Sequence, residues 1–361
     1  MPTNTYPDAL DDIIVGSVKD YHAHKGTWSD ISMNFPEYMF AEKFLAGKKT
    51  TVSDPSHTLV FDLQHANSGT VREVGHYDTD SEERRNILVQ GEVKWASQNI
   101  GIYFDKLETV IGKGKTEIVD HIQAQIHGMY NKWMEAMSHK MWTSPTDSTD
   151  ANRKILGLKH WIVKDSSEGF NGGNPSGFTS GAAGINSSTY TNWKNYTGTY
   201  TAVSQEDFVT KVIRATRRCH FMPPHNYAEA VKPAQKWQLV TTESVYENLD
   251  LLLRGQNDNL GGDLGAFRGQ AMLKSMPITI SWELTKSTLS EGEANPAYDA
   301  TGPIYGIHWP SFKLNFIKGY ERKITGPERS ATGRFVRKIN LDSWNQMYCI
   351  NRRNSFVLYA A

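Results

Sequence analysis

The sequence predicts a mixed α+β fold built around one very long helix, and three features carry that expectation. Between Lys115 and Trp142 the apolar residues Ile118, Ile122, Ile126, Met129, Trp133, Met137 and Met141 recur at spacings of three and four, the stripe of an amphipathic helix. Upstream, residues 58–65 and 87–104 alternate apolar and polar positions with the period of strands. The last fifth reads as successive strands, Phe312–Ile317, Phe335–Ile339, Met347–Ile350 and Ser355–Tyr359. At 361 residues the chain can form one large domain or two to three ordinary ones.

In chain order, residues 1–50 hold helix-like pieces (Asp8–Val18, Pro36–Leu45) and single aromatics such as Trp28, Phe35, Phe40 and Phe44. Little of this stretch can bury itself alone, so it reads as an arm lying on something else. In residues 58–65, Leu59, Phe61 and Leu63 share one face; the second run passes through Val93, Trp95, Ile100, Ile102 and Phe104. Arg72, Glu73, Asp78, Asp80, Glu82, Glu83, Arg84 and Arg85 lie between the two runs and cannot form a core. The pair therefore reads as a long two-stranded projection with a solvated or partner-bound tip, and an isolated ribbon is marginal in water without a neighbour. The helix from 115 to 142 would run about 42 Å. Leu158–Val163 reads as a strand, and Gly169–Gly198 as a large loop ordered alone or on assembly, since Phe170, Phe178, Ile185, Tyr190 and Trp193 interrupt its Gly, Ser and Asn. Residues 204–218 predict a helix capped by Ser204, with Asp207 three residues on. A strand at 237–241, a helix at 243–254, a turn region at 255–265, a strand at 276–280 and an extended 306–309 follow.

Charge and composition narrow the function. Lys plus Arg and Asp plus Glu both number 39, so no net field gathers nucleic acid, a membrane or an acidic substrate. Locally, Lys313, Lys318, Arg322, Lys323, Arg329, Arg334, Arg337, Lys338, Arg352 and Arg353 face only Glu321, Glu328 and Asp342, which reads as a solvated face or interface, or as contact with packaged nucleic acid. Only Cys219 and Cys349 are present, which excludes a disulfide scaffold and suits a reducing cytoplasm. The N-terminus puts acids before a short apolar stretch, the reverse of a secretory signal, and no window approaches a membrane span. Ten Trp, sixteen Tyr and fourteen Phe, at a mean hydropathy of −0.53, place many rings at surfaces or seams between subunits.

No constellation predicts catalysis, a cofactor or a metal. Gly112-Lys-Gly-Lys-Thr116 ends like a phosphate-binding loop before a helix, but Thr109 stands where that motif needs its first glycine, so a turn entering the long helix is the better reading and a nucleotide-binding enzyme the lesser one. His22 with His24, and His220 with His225 near Cys219, make no three- or four-ligand set. Glu82-Glu83 and Asp11-Asp12 lie in polar runs, and Gly-x-Ser-x-Gly is absent. Asn186-Ser-Ser188 and Asn195-Tyr-Thr197 match glycosylation acceptors by chance.

The order of parts carries a resemblance: an aromatic arm, a charged ribbon, a very long helix, a mixed domain and a final strand. Its most telling stretch is Trp237-Gln-Leu-Val-Thr241, helix Val245–Leu253, Asn257-Asp-Asn-Leu-Gly261, Phe267-Arg-Gly269 and Met276-Pro-Ile278, with the ending Asn351–Tyr359. In these the chain resembles the major capsid proteins of tailed phages, with the Hong Kong 97-like (HK97-like) fold, although Lys274-Ser275 stands where that family has a glycine. The resemblance implies an N-terminal arm at 1–50, an extended loop at 51–104, and a peripheral domain at 105–225 with spine helix 115–142. It further implies an axial domain at 226–309 and a return to the peripheral domain at 310–361. It implies pentamers and hexamers tiling an icosahedral shell assembled in the host cytoplasm, non-specific contact with packaged double-stranded DNA, a portal and a decoration or cement protein, and no membrane. Many relatives carry a scaffolding extension before the arm; here only a short arm follows Met1, so a separate scaffolding protein is expected. An encapsulin-like compartment is the alternative shell. No lysine here matches the crosslinking lysine of some relatives.

Overall fold

The computed structural model describes residues 35–46, 50–54, 56–67, 73–79, 86–105, 115–221, 237–255, 272–273, 276–289, 293–329 and 336–361. Four strands precede the long helix: β1 (Thr50–Ser53), β2 (Thr58–Gln64), β3 (Leu88–Lys94) and β4 (Ala96–Asp105). Helix α1 (Lys115–Met141) has 27 residues, about 40 Å. After it come β5 (Gly169–Gly172), β6 (Asn195–Tyr200), α2 (Thr210–Cys219), β7 (Trp237–Thr241), α3 (Glu243–Gly255), β8 (Met272–Leu273) and β9 (Met276–Ile280). The chain ends in β10 (Ile304–His308), β11 (Phe312–Ile317), β12 (Lys323–Arg329), β13 (Val336–Cys349) and β14 (Phe356–Ala360).

The helix stripe read from the sequence faces the core. Ile122, Ile126, Met129, Trp133, Met137 and Met141 are all buried, while Ala124, Gln125 and Gly128 are exposed. They pack on a five-stranded sheet in the order β1-β11-β13-β12, with β4 also paired to β13. Strand β13 fuses two predicted strands into one of 14 residues, with Ile339, Leu341, Met347 and Cys349 buried on its helix side. The arm read as lying on something else lies, over its described part, on this same core. Phe40 sits edge-on to the Trp133 ring at 6.1 Å and Phe44 edge-on to Trp309 at 5.8 Å.

A second sheet, β5-β6-β14-β10-β7-β9-β8, divides two cores. Because side chains alternate across a strand, Val240, Tyr305, Ile307 and Val357 point into the α1 core, whereas Leu239, Ile304, Phe356 and Leu358 point into a smaller core under α2 and α3. Gly306 lets that sheet close, since a Cβ there would lie 2.0 Å from the ring of Phe356 opposite it. Ser204 caps as expected the helical turn Gln205–Val209 that leads into α2, its Oγ accepting from the Asp207 N–H at 3.1 Å. The Asp207 carboxylate accepts instead from the N–H groups of Thr201 and Ala202, fixing the turn before the helix.

Two expectations are corrected. Leu158–Val163 is not a strand: Leu158–Trp161 forms a single helical turn, with Trp161 Nε1–H donating to the Leu156 carbonyl at 3.1 Å. Leu158, His160, Trp161 and Ile162 are all buried, and a short run buried on every side has no period to read. The second correction concerns residues 96–105, read as the continuation of the ribbon. They leave it after Trp95 and pair with β13 from Ala96↔Asn345 to Asp105↔Val336. The true ribbon is β2 against β3, from Thr58↔Lys94 to Gln64↔Leu88.

Candidate assembly surfaces

The ribbon is seated by its apolar face. Phe61 stacks on Tyr348 at 5.1 Å, Leu59 and Val93 are buried, and the Glu92 N–H donates to the Ala183 carbonyl at 3.0 Å. The neighbour that a two-stranded ribbon requires is thus supplied at its base by the chain's own β13 and its Gly/Asn loop. The opposite face stays open, with Val60 48% and Leu88 53% exposed. Towards the tip, the Asp78 carboxylate accepts from the Gly75 N–H at 2.7 Å, a tight turn that leaves Tyr77 98% exposed. Glu82 and Glu83 lie outside the described residues.

The face of the five-stranded sheet turned away from α1 is a second open surface. Registry places Tyr103 beside Lys338, Asn99 and Lys323 beside Asp342, and Ser97 beside Trp344. Tyr103, Trp344 and Tyr320 are each more than a third exposed; Lys338 lies over Tyr103 at 5.7 Å and Lys323 over Tyr320 at 5.0 Å. Asp342 accepts from Asn99 Nδ2 and Thr325 Oγ1, so the face mixes rings, amides and both signs of charge. Such a mixture suits a protein partner better than a phosphate backbone.

The nine described residues among the ten C-terminal cations do not form one patch. Arg322 lies over Trp133, Lys318 reaches Asp54 at 3.6 Å, and Arg329 and Arg337 stand opposite each other across β12 and β13. Arg334 is outside the described residues. Arg352 is fully buried. Its Nε donates to the Trp161 carbonyl at 2.6 Å, Nη1 to Trp193 O at 3.1 Å, and Nη2 to Gly173 O at 2.8 Å and Gly172 O at 3.3 Å, with Asn195 Oδ1 at 3.4 Å. Burial pushes this guanidinium down to about 10, and among the described residues no carboxylate is hydrogen-bonded to it. Five oxygens, four of them backbone carbonyls, do the work of a counter-ion. Gly172 makes the cage close, because a Cβ there would lie 2.1 Å from Asn195 Oδ1. Sequence reading missed this centre; its only trace is a glycine pair far from a cation pair.

That cage, with an internal amide network, orders the Gly/Ser/Asn tract within the single chain. Asn174 Oδ1 accepts from the Ser187 N–H and Oγ, Asn186 Oδ1 accepts from the Ser188 N–H, and Asn195 exchanges two hydrogen bonds with the Val163 backbone. Phe178, Ile185 and Trp193 are buried anchors, whereas Phe170 and Tyr190 are half-buried.

The remaining sequence candidates separate. Gly112 to Gly114 lie outside the described residues, and α1 starts at Lys115. His22, His24, His225, Asp11 and Asp12 are likewise outside, while His220 lies against the Trp237 ring at 4.9 Å and burial lowers its pKa. Cys219 and Cys349 are buried thiols, the second pushed up to about 12 by burial. Among the described residues no three His, Cys, Asp or Glu gather as metal ligands, and no helix is long and apolar enough to cross a membrane.

No family model matches the chain, and no curated protein does. Solved structures do match, end to end. A chain of the cyanophage A-1(L) capsid asymmetric unit is 13% identical, with 93% of this chain and 96% of that one covered at a TM-score of 0.60. A chain from the capsid of a native GTA particle is 10% identical, covering 96% and 98%, at 0.54. One from the capsid of Myoviridae phage XM1 is 8% identical, covering 94% and 97%, at 0.52. These likenesses define the class of fold: a mixed α+β capsid-subunit fold with a long helix. The particular type is the Hong Kong 97-like fold expected from the order of parts.

Proposed function

We propose that the chain is the major capsid protein of a tailed phage, assembling into the icosahedral head shell and residing in the virion. One observation carries the reading: more than nine-tenths of this chain and of each of three capsid chains match as one fold. The two open surfaces support it, because a ribbon tip and a sheet face on different parts of one molecule make head-to-tail contacts, which close into rings of five and six by rotation. In this reading the peripheral domain is α1 with the five-stranded sheet, the axial domain is the seven-stranded sheet with α2 and α3, and β2–β3 is the stem of the extended loop. A separate scaffolding protein, a portal and a cement protein complete the head, and double-stranded DNA fills it. The role is structural, with no catalytic step assigned.

Negative-stain electron microscopy of purified protein, with scaffold coexpressed if needed, tests the proposal. Closed shells or rings are expected, with DNA content separating a virus head from an encapsulin-like compartment. A species of one chain's mass under all conditions overturns it.

A further inference from the structure

A cleft of about 710 Å³ lies under the ribbon, between β2–β3, the loop 185–193 and the turn after β13. Its lining joins apolar side chains, among them Leu63, Val89, Ile185, Phe221 and Ile350, to about as many polar ones, and it lies in the size range of built binding sites. One side is cationic and held in place by rings. The Arg353 guanidinium lies over Phe221 at 4.3 Å and Phe170 at 5.0 Å, with Nη1 donating to Asn192 Oδ1 at 2.9 Å. Phe170 meets Phe221 at 5.6 Å and Tyr196 at 5.4 Å, and Arg218 lies over Tyr196 at 6.0 Å. Three linked rings thus carry two arginines. Glu168, the nearby acid, is engaged by Arg214 Nη1 and the Tyr196 hydroxyl, both at 2.9 Å, and Asp62 in the lining accepts from Gln90 Nε2. The cleft therefore has an apolar floor and an arginine-bearing edge whose nearby acid, Glu168, is already engaged, with Asp62 a carboxylate in its lining.

Outside the described residues, the N-terminal stretch of the sequence has the matching chemistry. Tyr6-Pro-Asp-Ala-Leu-Asp-Asp-Ile-Ile-Val15 places Asp8, Asp11 and Asp12 among Leu10, Ile13 and Ile14, with no cation between them. We infer that the cleft under the ribbon receives residues 6–15 of a second copy of this chain, its acids meeting Arg353 and Arg218 and its aliphatic residues filling the apolar floor. The second copy follows from the assembly reading, on which this inference rests: a groove and a segment at different places on one chain form a head-to-tail contact.

Cysteine trapping in assembled full-length protein tests it, because the two native cysteines are buried. Chains carrying Ile14→Cys are mixed with chains carrying Thr191→Cys, Thr191 being an exposed residue of the cleft, and assembled under mild oxidation. Disulfide-linked dimers are expected from the mixture. Adding Arg353→Glu to the Thr191→Cys chain should slow linkage about tenfold, the loss of one close charge pair, and Asp11→Arg with Asp12→Arg on the other chain should restore it. No linked dimer in the mixture, or a link formed only within a chain carrying both cysteines, overturns the inference. Particles in the same sample report on the assembly reading separately: shells without the link sink the cleft assignment alone.

Discussion

Arg352 is the residue whose removal should cost this fold most for its surface invisibility. Its guanidinium supplies donors to five oxygens drawn from three segments: Trp161 before the Gly/Asn loop, Gly172 and Gly173 within it, and Trp193 and Asn195 at its end. Arg352→Ala takes the guanidinium donor from four buried carbonyls, Asn195 Oδ1 keeping the Val163 N–H, and opens a cavity beside Trp161 and Trp193. Each unsatisfied buried group costs about 1–3 kcal/mol, and several carbonyls lose the same donor together. Against a total stability of about 5–15 kcal/mol, the variant should be largely unfolded or insoluble. Arg352→Lys keeps the charge without the planar fork and should fall between. The neighbouring Arg353→Ala loses a partly exposed stack and should cost about 1 kcal/mol. Urea unfolding of the unassembled subunit, followed by tryptophan fluorescence, reads the series, since Arg352 lies over the Trp193 ring at 5.7 Å. A parental midpoint for Arg352→Ala would refute the claim that the carbonyl cage holds the loop.

Other outcomes are accessible to the same assays. Trp133→Ala removes a buried ring packed on Phe40 and Phe316 and should cost about 3–5 kcal/mol, seen as lost soluble yield; normal assembly would mean that α1 is not anchored there. Gly306→Ala drives a methyl group into the Phe356 ring and should destabilise by at least about 1–3 kcal/mol; an unchanged midpoint would show that the sheet gives way freely. Glu283 is fully buried and its carboxyl is pushed up to about 7, mainly by burial, so its contribution is complete below the unfolded value near 4.5 and is lost as pH rises through 7. Glu283→Gln should therefore gain stability relative to the parent between pH 5 and 8, by on the order of 3 kcal/mol; a pH-independent difference excludes a buried, protonated Glu283. Isothermal titration of the parent with ATP or GTP should give no binding that Lys115→Ala abolishes, whereas micromolar affinity lost in that variant would revive the phosphate-loop reading.

Periodicity alone determined the elements whose faces see different surroundings. The stripe of α1, the alternation of β2 and the strand at 276–280 were legible because a half-buried element writes its period into the sequence, and the Ser204 cap by its hydrogen-bonding chemistry; the strands at 237–241 and 312–317, buried almost throughout, were legible only as short apolar runs. Their order was enough to expect the fold, even at identities of 8–13% to the matching capsid chains. Where burial is complete on every side that signal vanishes, and Leu158–Trp161 was misread for that reason. Strand β12 went unread because its residues are mostly exposed or half-buried and Gly326 and Pro327 interrupt them. Only tertiary structure decided which sheet each strand joins, so 96–105 passed from ribbon to five-stranded sheet. It also scattered the basic C-terminal run and gathered Arg352 with Trp161, Gly172, Gly173, Trp193 and Asn195. Local sequence fixes a residue's periodic face, but the partners of a buried charge are brought to it by chain segments more than 150 positions away, and no local pattern encodes that meeting.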